Sequence, residues 1–229
     1  MKAYTSQNAD NRIKQALERE GFEVEALMGY EALTHPVDTH ADMLLLCVGD
    51  TVFAPQNYEI PASLSASHKV VKIEENISAR YPFDVALNVA IVGKNVFCNE
   101  KYASKTVLNH LKENGYTVHH IAQGYAHCSS CIVNDNALIS ADSTIVQAAQ
   151  KTGVDALQIR HGHISLPPYE YGFIGGSCGS TESTVYFCGS LSHHPDGENI
   201  RAFIERHGKQ VVELTKEALC DVGGILFLD

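Results

Sequence analysis

The chain has 229 residues, 45% hydrophobic and 19% charged, the proportions of a folded globular protein and not of a disordered one. Its net charge of −10, from 17 basic and 27 acidic side chains, repels a phosphate backbone and argues against a nucleic-acid partner. With no apolar run near the roughly eighteen residues that span a bilayer, no secretory core at the start and seven scattered cysteines, the expectation is one cytoplasmic, membrane-free domain over residues 1–229 with reduced thiols.

In chain order, residues 2–5 predict a strand, residues 11–19 a helix stopped by Gly21, and residues 22–26 a second strand. The run 42–48, the turn Gly49-Asp50 and the run 51–54 predict a hairpin, followed by a short helix over 62–67 and a strand over 70–73. The same order then recurs. Residues 88–98 turn at Gly93-Lys94, residues 103–114 carry Val107, Leu108 and Leu111 at helical spacing before the stop at Gly115, and residues 116–121 return as a strand. Residues 131–139 turn at Asn134-Asp135, Asp142-Ser143 cap a helix over 144–151 that stops at Gly153, and residues 155–159 return. The next copy runs from Gly176 through 184–188, a helix over 198–206 stopped by Gly208, and a strand over 210–214. Residues 223–228 form a lone last strand, the front strand that the N-terminal piece lacks. Five ββαβ units of about 45 residues thus account for nearly the whole chain, and joining its two ends in one unit removes an open sheet edge.

Five such units closed by the N- and C-termini resemble the pentein fold, a five-bladed α/β-propeller. It is the fold of guanidino-group-modifying enzymes: arginine deiminases, amidinotransferases and dimethylarginine hydrolases. Residues 123–133, 171–179, His194-Pro195-Asp196 and residues 221–224 carry the resemblance, which is closest to a bacterial family assigned to that fold. The resemblance implies a central cavity approached by the segments that lead into each first strand. These are residues 40–42, 84–88, 125–130, 175–178 and 220–224. It also implies a cysteine nucleophile, a histidine that moves protons, and carboxylates that hold guanidinium N–H groups. His127 matches the position of that histidine. The Glu-Gly-Gly-Asp run of those enzymes corresponds to Ile174-Gly175-Gly176-Ser177, which keeps the glycines and lacks both carboxylates. The nucleophile's position falls at Gly223 or Gly224, with Cys220 three or four residues early.

Three functions stay open. A thiol-dependent hydrolase or transferase acting on a guanidino or amidine small molecule would use Cys128, Cys131 or Cys178, with His127 as base. A non-catalytic pentein would bind a small cationic or amidine-like ligand through Asp42, Asp84 and Asp221, beside Asn88, Gly175, Gly176 and Ser177. A zinc site built on His127, Cys128 and Cys131 would need further ligands from His161, His163 or Cys178, and the odd spacing of the two cysteines sends them to opposite faces of an extended segment. Otherwise no metal or cofactor is expected, the glycine pairs lack the context of a nucleotide-binding loop, and the oligomeric state is open.

Overall fold

The computed structural model describes residues 1–229. Gly21, Gly115, Gly153 and Gly208, the residues expected to stop helices, all sit at positive φ between +77° and +91°, the left-handed position that ends a helix without steric cost. Strand β1 (Lys2–Ser6) is followed by α1 (Asn11–Arg19) and β2 (Glu23–Leu27). A single helical turn, α2 (Ala41–Leu44), leads into β3 (Leu46–Val48), β4 (Thr51–Ala54), α3 (Ala62–Ser67) and β5 (Lys69–Lys72). Then come β6 (Ala90–Val92), β7 (Asn95–Cys98), α4 (Lys105–Glu113) and β8 (Thr117–His120). The next unit is β9 (Ser130–Asn134), β10 (Ala137–Ser140), α5 (Ser143–Lys151) and β11 (Asp155–Gln158). The last elements are β12 (Cys178–Ser180), β13 (Thr184–Phe187), α6 (Gly197–Arg206), β14 (Gln210–Glu213) and β15 (Leu226–Leu228).

These strands make five three-stranded sheets: β3-β4-β5, β6-β7-β8, β9-β10-β11, β12-β13-β14 and β15-β1-β2. In every sheet the first strand is antiparallel to the middle one, and the middle one is parallel to the third across a helix. The expected complement between the two ends is present, with Lys2 opposite Leu228 and Tyr4 opposite Leu226.

Each helix packs its apolar stripe onto the preceding sheet. Val107, Leu108 and Leu111 of α4 share a cluster with Val52 and Phe53 of β4, and Tyr4 and Leu27 of the terminal sheet join the same cluster. Ile145 and Val146 of α5 meet Phe97 of β7. Ile200, Phe203 and Ile204 of α6 meet Ile139 of β10. Ile13 and Leu17 of α1 meet Tyr186 of β13. Sheets that follow one another along the chain therefore share apolar clusters.

One element differs in kind from its sequence expectation. Residues 42–44 are helical and not the start of a strand, because the N–H groups of Met43 and Leu44 both bond the His40 carbonyl, at 3.1 Å, while the Asp42 N–H is drawn to the Gly223 carbonyl at 3.0 Å. No helix of the structure is long and apolar enough to cross a membrane.

Candidate functional site

The five lead-in segments are joined by a hydrogen-bonded circuit. The Asp42 N–H donates to the Gly223 carbonyl (3.0 Å), the Gly224 N–H to the Gly176 carbonyl (2.7 Å), and the Gly176 and Gly175 N–H groups to the Cys128 carbonyl (3.2 and 2.8 Å). The His127 and Cys128 N–H groups donate to Asn88 Oδ1 (2.7 and 3.2 Å), and Asn88 Nδ2 returns to the Asp42 carbonyl (3.2 Å). Asn88, 1% exposed, does with a side chain what the other units do with backbone. Asn88→Ala leaves two buried N–H donors and a carbonyl unpaired and is expected to destabilise the protein by roughly 2–4 kcal/mol, read by urea unfolding. A loss under about 0.5 kcal/mol would mean that the circuit closes without it.

The glycine pair fits the same geometry. A Cβ on Gly176 would lie 2.0 Å from Asp221 Oδ1, and one on Gly175 would lie 2.3 Å from the His127 carbonyl. The sequence shows no carboxylate flanking these glycines, and the structure brings one in from the next unit. Asp221 packs against Gly176 and accepts the N–H groups of Phe173 (2.8 Å) and Gly223 (2.9 Å).

Asp221 is one of three buried titratable groups in this region. His40 Nδ1 lies 3.6 Å from Asp221 Oδ1 and 3.9 Å from Asp42 Oδ1. Neither oxygen of Asp42 receives an N–H or O–H donor, the Cys128 thiol being the one weak donor near it, although the residue is only 3% exposed. Burial, reinforced by the charge of Asp221, pushes the Asp42 carboxyl up to about 7. Burial likewise raises Asp221 to about 6 against the pull of its two amide donors, and lowers His40 to about 4.

A cavity of about 380 Å³ starts at this floor and runs along the first strands of all five sheets, touched for example by Leu46, Ile91, Ile132, Gly179 and Phe227. Asp42, His127, Ser130 and Cys178 line its inner end; Lys209 and the exposed Asp135 border the other, where β9 turns into β10. His127 Nδ1 and Ser130 Oγ are buried without partners, so with Asp42 they present unused hydrogen-bonding capacity beside the cavity. Burial lowers the His127 imidazole, favouring its neutral form.

Of the sequence candidates, the cavity gathers His127, Cys178, Asp42 and Gly175 on its wall. Gly176, Ser177, Asn88 and Asp221 stand behind that wall as its frame, with the Ser177 hydroxyl donating to the Ile174 carbonyl at 2.9 Å. Asp84 lies elsewhere, with Oδ2 accepting from the Tyr125 hydroxyl at 2.5 Å. Cys128 does not line the cavity: its sulfur receives Asn88 Nδ2 at 2.8 Å and lies 3.9 Å from Met43 Sδ, with its thiol behind Asp42. Cys131, fully buried, joins the cluster of α6, so the two cysteines fall into different clusters as their odd spacing implies. Burial raises the Cys128 thiol well above its ordinary value; the Cys178 thiol is raised likewise, first by its neighbour Cys131 and then by burial. None of the three thiols is hydrogen-bonded to His127, and no three His, Cys, Asp or Glu side chains stand close enough to hold a metal ion, which leaves the zinc alternative without a ligand set. The sequence reading did not single out His40, Ser130 or Lys209; His40 and Ser130 were legible only as parts of lead-in segments, and Lys209 carried no signal.

Solved structures with this arrangement share little sequence with the chain. DDAH from Pseudomonas aeruginosa, a cysteine-to-serine mutant complexed with citrulline, superposes with a TM-score of 0.59 at 15% identity, over 89% of this chain and 78% of that one. Agmatine deiminase of C. jejuni gives 0.54 at 10% identity, over 93% and 86%. An amidinotransferase from Microseira wollei, of the saxitoxin biosynthetic pathway, gives 0.53 at 12% identity, over 89% and 73%. Five small ββαβ sheets and these neighbours show that the chain has the pentein fold. The chain belongs to the family described as "Family of unknown function (DUF6873)", which it matches over residues 4–226. No curated protein matches it in sequence.

Proposed function

We propose that the chain is a single closed five-bladed α/β-propeller that binds a small guanidino or amidine cation at the inner end of its cavity, with Asp42 as counter-ion. The observation that carries this reading is the Asp42 carboxylate: buried, on the cavity wall, with no cation and no N–H or O–H donor on either oxygen. A buried charge without a partner is costly, and a planar cation with paired N–H donors supplies both the charge and the two hydrogen bonds that are missing. The neutral His127 and Ser130 offer further contacts for its N–H groups. The five-step circuit and the apolar contact of each sheet with the next support closure of the ring. The names of the structural neighbours, which include agmatine and dimethylarginine, support the ligand class. Seven free thiols suit a reducing, cytoplasmic setting, and the charge of −10 suits neither nucleic acid nor an anionic membrane surface as partner.

Because the cation needs ionised Asp42, affinity for agmatine is expected to rise about tenfold per pH unit up to about 7 and to level off above it. Calorimetry at pH 6 and pH 8 reads this directly. Asp42→Asn should abolish the heat of binding at both values; agmatine binding that ignores pH or survives Asp42→Asn would remove the proposal.

A second reading, covalent chemistry at the same place, rests on Cys178, the one sequence-predicted thiol on the cavity wall beside His127. Iodoacetamide at pH 8 should then modify Cys178 ahead of Cys128 and Cys131, and agmatine should slow it. Equal, slow modification of all three thiols leaves binding as the function of the cavity.

A further inference from the structure

A second cleft, of about 320 Å³, lies between the sheet β9-β10-β11 and the connector that follows it. Its floor includes Ser129 and Ile174, and its sides include Ser143 at the start of α5 and Arg160, His161 and Tyr171 of the connector. Most of its charge is already matched within the protein. Arg160 holds Asp196 through Nε and Nη2, and Asp142 receives the N–H groups of Thr144 and Ile145 and the amide of Gln123. What is left unmatched is neutral. Ser129, only 3% exposed, has a hydroxyl with no partner, against the strong tendency of buried hydroxyls to be paired. The aromatic side is partly open and offers the Tyr171 ring for stacking: the Tyr171 and His161 ring centres are 5.6 Å apart at 51°, and Tyr171 meets Phe173 edge-on at 6.3 Å while remaining 37% exposed. The volume is near the lower limit for small-molecule pockets and suits one or two fused rings.

The cleft and the central cavity share a wall. Neighbouring residues face opposite sides of it: Ser129 and Ile174 line the cleft, Ser130 and Gly175 the cavity. The two backbone segments are held together by the Gly175 N–H on the Cys128 carbonyl at 2.8 Å. A shift of either segment on one side displaces the lining of the other.

We propose that this cleft is a second ligand site, taking a small neutral planar molecule with hydrogen-bonding edges, of the heteroaromatic amide or nucleobase class, and that its occupancy is transmitted to the central cavity through the shared wall. This does not depend on what the central cavity binds. The test is ligand-observed NMR with adenine and nicotinamide, and with benzoate as an anionic counterpart, on the wild type, Tyr171→Ala and Ser129→Val. Tyr171 is on the surface, so its variant should keep the wild-type melting temperature and isolate the loss of the stacking wall. At least one neutral probe is expected to bind, to outcompete benzoate, and to weaken about tenfold in Tyr171→Ala and severalfold in Ser129→Val. Saturating probe is expected to change the rate of Cys178 alkylation at least about twofold in the wild type and not in Tyr171→Ala. No binding of either neutral probe, stronger binding of benzoate, or binding indifferent to Tyr171→Ala overturns the site. Binding with an unchanged Cys178 rate overturns the transmission.

Discussion

Gly223→Ala is expected to destabilise the protein by about 3–5 kcal/mol, among the largest losses available to one added methyl group. Two effects combine. Gly223 has φ of +78°, which disfavours any residue with a Cβ, and that Cβ would lie 2.2 Å from the His40 Cβ and 2.3 Å from the His40 Cα. Rotating the His40 side chain does not relieve a clash with its Cα. Relief requires moving either the turn that carries Asp42 or the segment that carries Asp221, and both are fixed by the hydrogen-bonded circuit. Gly115→Ala is the control, since Gly115 has nearly the same φ, +77°, with nothing within 4 Å of the added Cβ. That change is expected to cost only about 1 kcal/mol. Urea titrations of the two variants separate backbone conformation from packing, and equal losses would mean that the floor of the cavity yields to the extra methyl.

Asp42→Asn is expected to stabilise the protein at pH 8 by roughly 1–3 kcal/mol while removing cation binding, the opposite of what loss of a native charge usually does. Burial pushes the Asp42 carboxyl from its ordinary 3.8 up to about 7, so between those values the folded protein holds a proton that the unfolded chain releases. Its contribution to stability is full below 3.8 and is lost as pH rises through 7. Asp221, raised to about 6, acts in the same sense. His40 opposes both: lowered from 6.5 to about 4, it contributes fully above 6.5 and loses its contribution as pH falls toward 4. Between about pH 4.5 and 6 the two carboxyls together outweigh the histidine by one proton, so the wild type should lose about 1.4 kcal/mol per pH unit there and level off above about pH 7. In Asp42→Asn the opposite slopes of Asp221 and His40 nearly cancel, so stability should change little between about pH 4.5 and 6 and the loss toward pH 8 should shrink. Denaturation at pH 5, 6.5 and 8 checks both slopes. A variant less stable than the wild type at pH 8 would show that the fold itself satisfies the Asp42 charge.

The repeat was readable because its punctuation is local. Gly115 after the stripe Val107, Leu108 and Leu111, the hairpin at Gly93-Lys94 and the cap at Asp142 each act within a few residues, so their chemistry is written in adjacent letters. The lead-in segments obey no such rule. Asp42 to Leu44 are apolar enough to read as strand, and only the His40 and Gly223 carbonyls, the latter 181 residues further along the chain, make them helical. Which thiol faces the cavity was equally hidden. Cys128 stays behind Asp42 with its sulfur on Asn88, a contact between units that no spacing announces, whereas Cys178 reaches the wall because β12 begins there. The sequence also misattributed the missing carboxylates: residues 174–177 lack them, but the space beside Gly176 is occupied by Asp221 from the following unit.

The pairing of β1 with β15 makes the first and last strands of the chain neighbours, and the Met1 amino group lies 3.7 Å from the Asp229 side chain. In kinetic terms this is the contact of greatest sequence separation, whose closure entropy is the largest to be met and whose formation is tied to the slow end of the folding-rate scale. It also means that strand pairing, and not continuity of the polypeptide, joins β1 to β15. A circular permutant linked across residues 229 and 1, and opened at the Gly93-Lys94 turn, retains every strand pairing while exchanging the longest-range contact for a short loop, and it should reach the same fold faster.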